Sequence, residues 1–313
     1  MSNIHRIGEN SKDDNNDYRY NPDDNPPILQ KFSYKGDPKS QSIPSFLKEV
    51  ICPFFTFKSF SFVIIVINIV VFIGSLIPHG LNNDELEKHF LPPNSDTLDL
   101  FGNLYGPKLR ESPLQTYRWI ANSLLHGYFE HVFSNCFGIL IFGTMLEYLI
   151  GTWRYIAIYI LSGILGSLFS VLIQSNVRSV GASISCYGII GAILGFDIIN
   201  WNALNRIYGT NNKCLIIMFP LLMVIFMMPI FVSTQGGSGF STGGNINIYG
   251  HIGGLIFGLF LSLCFIKPKD ESDTCFLSYK ILFISGIAIC GAFAVIGFLC
   301  FYLLDYYKPQ KNL

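Results

Sequence analysis

Charge is the scarcest property of this chain. Only 13% of its 313 residues are Asp, Glu, Lys or Arg, half are hydrophobic, and the mean hydropathy is +0.41. A soluble globular domain of this length rarely shows such a balance. Net charge is zero and the basic residues form no stripe interleaved with aromatics, so nucleic acid is excluded as a partner. Cysteine is present but unpatterned. Its eight residues, among them Cys52, Cys136, Cys186 and Cys290, are scattered through apolar runs without Cys-x-x-Cys or Cys/His ligand spacing. They read as small hydrophobes, and no disulfide framework, metal site or cofactor is expected. The charged opening lacks an early hydrophobic core, so no cleavable signal peptide is expected.

What the chain does have is long apolar runs. Residues 1–55, rich in Asn, Asp, Ser, Lys and Pro, read as a disordered cytosolic tail. Spans are then expected at 60–77, 118–150, 155–173, 182–201, 215–232, 248–266 and 281–304. The expected fold class is therefore all-α, a polytopic protein embedded in the lipid bilayer. The 79–116 segment is too long for a membrane turn and is expected to fold as a lid or side structure against the bilayer. Pro220 and Pro229 interrupt the fifth run, where they leave carbonyls unpaired. A loop rich in Gly, Ser, Thr and Asn (233–247) follows it, and the pair reads as a moving gate.

Lys and Arg counts set the orientation. With the amino terminus in the cytosol, 14 of the 21 basic residues lie inside and 7 outside. The second, fourth and sixth runs then descend from the outer face. Their polar residues consequently share the outer half of the membrane.

Those polar residues carry chemistry. On the second run His131 and Asn135 are four apart and stack on one helical face. They read either as an interhelical hydrogen-bonding pair or as donors to an anionic intermediate. The fourth run opens with Gly181-Ala182-Ser183 and the sixth with Gly250-His251-Ile252-Gly253-Gly254. A serine hydroxyl becomes a nucleophile only beside a base, and His251 is the candidate. Gly191-xxx-Gly195 and Gly254-xxx-Gly258 let two helix backbones approach closely enough for that contact. Tyr187, one turn below Ser183, is positioned to stack on the imidazole. The sixth run contains no Asp or Glu, so a Ser/His pair without a carboxylate is expected.

From the second run through the sixth, the order and spacing of these motifs resemble the rhomboid intramembrane serine proteases. The resemblance implies a six-helix core over 56–270, with 271–313 adding a seventh helix as in secretory-pathway rhomboids. It implies Ser183 as nucleophile and His251 as general base, with His131, Asn135 and the Ser183 amide stabilising the oxyanion. His126 matches a preceding structural histidine, and Tyr187 the aromatic that supports the base. Gly181, Gly254 and Gly258 match the family glycines. Arg118, with Tyr117, resembles a Trp-Arg pair that anchors the first loop, and Glu147 with Gly151 resembles the end of the second helix.

Ile184 departs from the pattern, standing where the family usually has glycine, and is expected to crowd the oxyanion hole or narrow the substrate site. The implied partners are transmembrane protein substrates, cut near the outer face, in the secretory pathway or plasma membrane. The alternative is an inactive rhomboid-like protein that binds transmembrane clients for trafficking or degradation. Nothing in the sequence sets an oligomeric state.

Overall fold

The computed structural model describes residues 54–208, 247–268 and 277–304. The tail to residue 53, the fifth run at 215–232 and gate-loop residues 233–246 lie outside the described residues. The described chain is helical: α1 (Phe60–Ser75), α2 (Ser95–Phe101), α3 (Gly106–Glu111), α4 (Phe129–Ile150), α5 (Thr152–Ile173), α6 (Ser183–Ile199), α7 (Trp201–Tyr208), α8 (Ile248–Phe265) and α9 (Tyr279–Leu303). Of these, α4, α5, α8 and α9 are long and apolar enough to cross a membrane. The first and fourth runs form shorter apolar helices of 16 and 17 residues. For α6 the shortness has a physical reason: protein surrounds nearly all of it, so lipid thickness does not set its length.

The second run is shorter than its hydropathy implies. The membrane helix begins at Phe129, not at residue 118. Arg118–Ala121 makes one helical turn and Asn122–Leu124 a 3-10 turn. Leu125 and Tyr128 are then extended, so the helix restarts at a new angle. Within α4 the backbone widens into a π turn at Ile139–Gly143, a local extra residue of the kind often found near functional sites.

The segment between α1 and α4 is a folded cap. Asn94 caps α2 by accepting from the Asp96 amide at 2.9 Å. Leu104 and Ser179 exchange backbone hydrogen bonds of 2.8 and 3.0 Å, and the Gly106 amide donates to Ser175 at 3.0 Å, tying the cap to the α5–α6 loop. Arg118, buried, fastens it from beneath. Its guanidinium donates to the Asn103 carbonyl and side chain, both at 2.9 Å, to the Asp99 carbonyl at 2.8 Å and to Gln115 at 2.6 Å.

α6 is the hub, packed between α5 and α8. Glycine makes that packing possible where a Cβ has no room. A Cβ on Gly258 would overlap the Gly188 carbonyl oxygen, and one on Gly254 the Ile184 carbonyl oxygen. α9 closes the outside of the α5/α8 pair. Phe293 rests on Phe257 with ring centroids 4.4 Å apart, and Arg110 donates to the Phe301 carbonyl at 2.7 Å.

Candidate functional site

The site begins with two helix starts at one level. Gly181 precedes α6 with φ +128°, a left-handed conformation that favours glycine, and its amide donates to the Asn122 carbonyl at 2.9 Å. Two residues later Ser183 opens the helix. The N-cap residue Ala182 makes no side-chain cap bond, and the first amides of a helix have no intrahelical carbonyl, so the Ser183 N–H lies at the positive end of the α6 dipole.

On α8, one turn in, His251 Nε2 stands 2.8 Å from Ser183 Oγ. Both residues are buried, each 5% exposed. The Tyr187 ring lies nearly parallel to the imidazole, centroids 4.6 Å apart and planes inclined by 19°. The ring plane of His251 is thereby held from below while its Nε2 is aimed at the hydroxyl.

α4 supplies the opposite wall. A Cβ on Gly181 would come within 2.6 Å of His131 Nε2 and Cε1 and 3.6 Å of Asn135 Nδ2, so both side chains face the backbone just before Ser183. Asn135 is 1% exposed, and among the described residues its Oδ1 and Nδ2 have no hydrogen-bond partner. A buried amide left in that condition is costly, and a bound polar group would satisfy it. His126 packs edge-on to His131, centroids 5.1 Å apart.

Gly254 and Gly258 belong to the α6–α8 seam below the pair. Arg118 and Glu147 do not join the site. Arg118 holds the cap. Glu147 receives the amides of Phe60 and Ser61 at 2.8 and 2.9 Å, together with the hydroxyls of Ser61 and Thr152 at 2.8 Å, so it caps α1 and joins it to α5.

The Ile184 side chain packs toward α5 and α8. Its Cγ2 lies 2.5 Å from where a Gly166 Cβ would be, and its Cδ1 2.8 Å from a Gly250 Cβ, so the side chain fills a slot between α5 and α8. Glycines on those two helices make room for it.

Residues that sequence reasoning missed lie around this centre. Asn122 fixes Gly181, and Gly166 accommodates Ile184. From the cap, His89 stacks on Tyr128, centroids 4.0 Å apart and planes inclined by 7°, and the Tyr128 ring in turn lies 5.4 Å from the His131 ring. Asn247, four residues before His251, caps α8. An Asn three residues before a Gly at the start of an apolar run was the available signal for that cap.

The family model described as "Rhomboid domain" matches residues 113–268. The chain is 30% identical to Rhomboid-like protease 3 of Toxoplasma gondii over 209 residues, covering 66% of this chain and 71% of that protein. This chain belongs to the rhomboid family. It is also 29% identical over 241 residues to Rhomboid-like protease 1 of the same organism, covering 75% of this chain and 73% of that one. To "Inactive RHOMBOID-like protein 8" of Arabidopsis thaliana it is 33% identical over 142 residues, covering 45% of this chain and only 39% of the relative. The matched segment thus spans well under half of that relative and about seven-tenths of the Toxoplasma proteins. This rhomboid is an integral membrane protein, and the matched segment runs from the cap through α8.

Proposed function

We propose that this rhomboid is an intramembrane serine endopeptidase acting on single-pass transmembrane proteins near the outer membrane face. The observation that carries the reading is the buried 2.8 Å contact between His251 Nε2 and Ser183 Oγ. As Ser183 Oγ attacks the scissile carbonyl carbon, its proton passes to His251 Nε2. The carbonyl oxygen takes the negative charge. It is met by the Ser183 amide, by Asn135 Nδ2 and by His131 with its proton on Nε2. His251 returns the proton to the leaving amine as the C–N bond breaks. Water then attacks the acyl-enzyme, giving its proton to the same imidazole, and His251 returns that proton to Ser183 Oγ as the ester bond breaks and the acid product leaves.

Water has to reach the acyl group, so this mechanism requires a path for it from the outside. A helical substrate has to unwind there, which favours Gly, Ala or Pro in the outer part of its span. The cytosolic tail over 1–55, the catalytic core over 56–270 and the added helix over 271–313 are the domains of this proposal. A cytosolic amino terminus and residence in the secretory pathway or plasma membrane complete it.

A second reading is a rhomboid that binds transmembrane clients without cutting them. The inactive Arabidopsis relative and the Ile184 substitution favour it. Against it, the Ile184 side chain packs toward Gly166 and Gly250, and the two reacting groups are in contact.

The test is cleavage of a helical reporter by the purified protein in liposomes, with fluorophosphonate labelling in parallel. Cleavage and labelling by the wild type, lost in Ser183→Ala, with cleavage also lost in His251→Ala, support the protease. Unchanged cleavage in Ser183→Ala removes the nucleophile, and client binding without any cleavage favours the second reading.

A further inference from the structure

Asn247 is buried and makes contacts with three separate parts of the molecule. Its Oδ1 accepts from the Gly250 amide at 2.8 Å and from the Ser170 hydroxyl of α5 at 2.6 Å. Its Nδ2 donates to the Ser179 hydroxyl, in the α5–α6 loop, at 3.1 Å. Its own carbonyl accepts the His251 amide at 3.1 Å. Both side-chain functions and the backbone carbonyl are therefore engaged, two bonds going to the first turn of α8 and one each to α5 and the α5–α6 loop.

The consequence is geometric. A helix cap fixes where the first turn begins and how it is rotated about its axis. His251 sits at the end of that first turn, its amide on the carbonyl of the cap residue. Ser179, which accepts from the Asn247 side-chain amide, is held to the cap by its bridge to Leu104, and the same loop reaches Gly181 two residues later and Ser183 four residues later. Ser170 supplies a fixed point on α5, the helix that also packs against Ile184 through Gly166. A single side chain thus joins the start of the base's helix to the loop that delivers the nucleophile.

Resting on the protease reading, we propose that Asn247 is a positioning residue: it holds the first turn of α8 against Ser170 and Ser179 so that the imidazole of His251 meets the hydroxyl of Ser183. It touches neither reacting atom. Its effect is on the attack geometry, where an error of about 1 Å can cost on the order of 100-fold in rate. Substrate binding, made elsewhere, is spared.

The experiment compares wild type, Asn247→Ala and Asn247→Asp in liposomes. Reporter cleavage is resolved into kcat and KM, and hydrogen exchange of the 248–254 amides is measured in the same samples. Asn247→Ala is expected to lower kcat about tenfold or more while leaving KM within about twofold, and to speed exchange of the Gly250 and His251 amides. Asn247→Asp keeps an acceptor for Gly250 and Ser170, and Ser179 can turn its hydroxyl to donate, so most of kcat and of the exchange protection is expected to return.

Wild-type kcat in Asn247→Ala would overturn the proposal. So would a fall in kcat that Asp fails to restore although exchange protection is restored. If the wild type labels and cleaves nothing, the protease reading fails separately. The positioning claim is then decided by exchange alone, unchanged protection in Asn247→Ala overturning it.

Discussion

Gly258 of α8 lies so close to Gly188 of α6 that a Cβ would overlap the Gly188 carbonyl oxygen, with the Gly188 C and Cα both 2.7 Å from it. Backbone meets backbone there, two turns below the Ser183–His251 contact. Because a carbonyl cannot swing aside like a side-chain tip, Gly258→Ala has to move one helix away from the other. We expect cleavage to fall about 100-fold, the scale associated with misplacing reacting groups by about 1 Å. Gly291→Ala on α9, where a Cβ would meet nothing within 4 Å, is the matched control and should retain wild-type activity.

Asn135→Ala separates catalysis from stability. The side chain has no hydrogen-bond partner among the described residues, so removing it breaks no bond of the resting protein. Loss of one oxyanion donor typically costs about 100- to 1,000-fold in kcat. We expect that loss with thermal unfolding unchanged or slightly raised, measured on the same liposome preparation. A fall in melting temperature with kcat intact would assign Asn135 to packing alone.

Glu147→Gln should behave oppositely. One amide oxygen cannot replace two carboxylate oxygens that receive four donors, and the amide NH2 group would face the Phe60 or Ser61 N–H. Charge-assisted bonds of this kind contribute about 1.5–3 kcal/mol each when one partner is removed. The melting temperature should drop clearly, while kcat per folded molecule, titrated with the fluorophosphonate probe, stays near wild type.

Ile184 and Gly166 should be coupled. Gly166→Ala drives a methyl group into Ile184 Cγ2 and, less deeply, toward the Gly254 amide nitrogen at 2.7 Å. It should reduce cleavage strongly. Adding Ile184→Ala relieves the first clash but not the second, so the double variant should recover part of the activity and show an interaction energy in a double-mutant cycle. Simple additivity would mean that the two side chains do not share the slot.

The described apolar runs and most of the candidate site were legible in the sequence, because a membrane makes polar residues conspicuous. His131, Asn135, Ser183 and His251 stand out where each polar group needs a reason to be buried. The glycine spacings of α6 and α8 were legible for a related reason, since small residues at helical repeat distances mark close backbones. Hydropathy was a poorer guide to the start of the second membrane helix. It sums apolar residues whether or not they share one helix, and the extended backbone at Leu125 and Tyr128 leaves no trace in such a sum.

By itself, then, the sequence determined a helical membrane protein with a serine and a histidine at the starts of two spans, since composition and local spacing are properties of neighbours along the chain. The tertiary structure alone decided that those two groups lie within hydrogen-bond distance, that Ile184 turns into a glycine slot, and that Asn247 links three elements. Each of those depends on the rotation of one helix against another, which is set by backbone contacts between residues far apart in the chain.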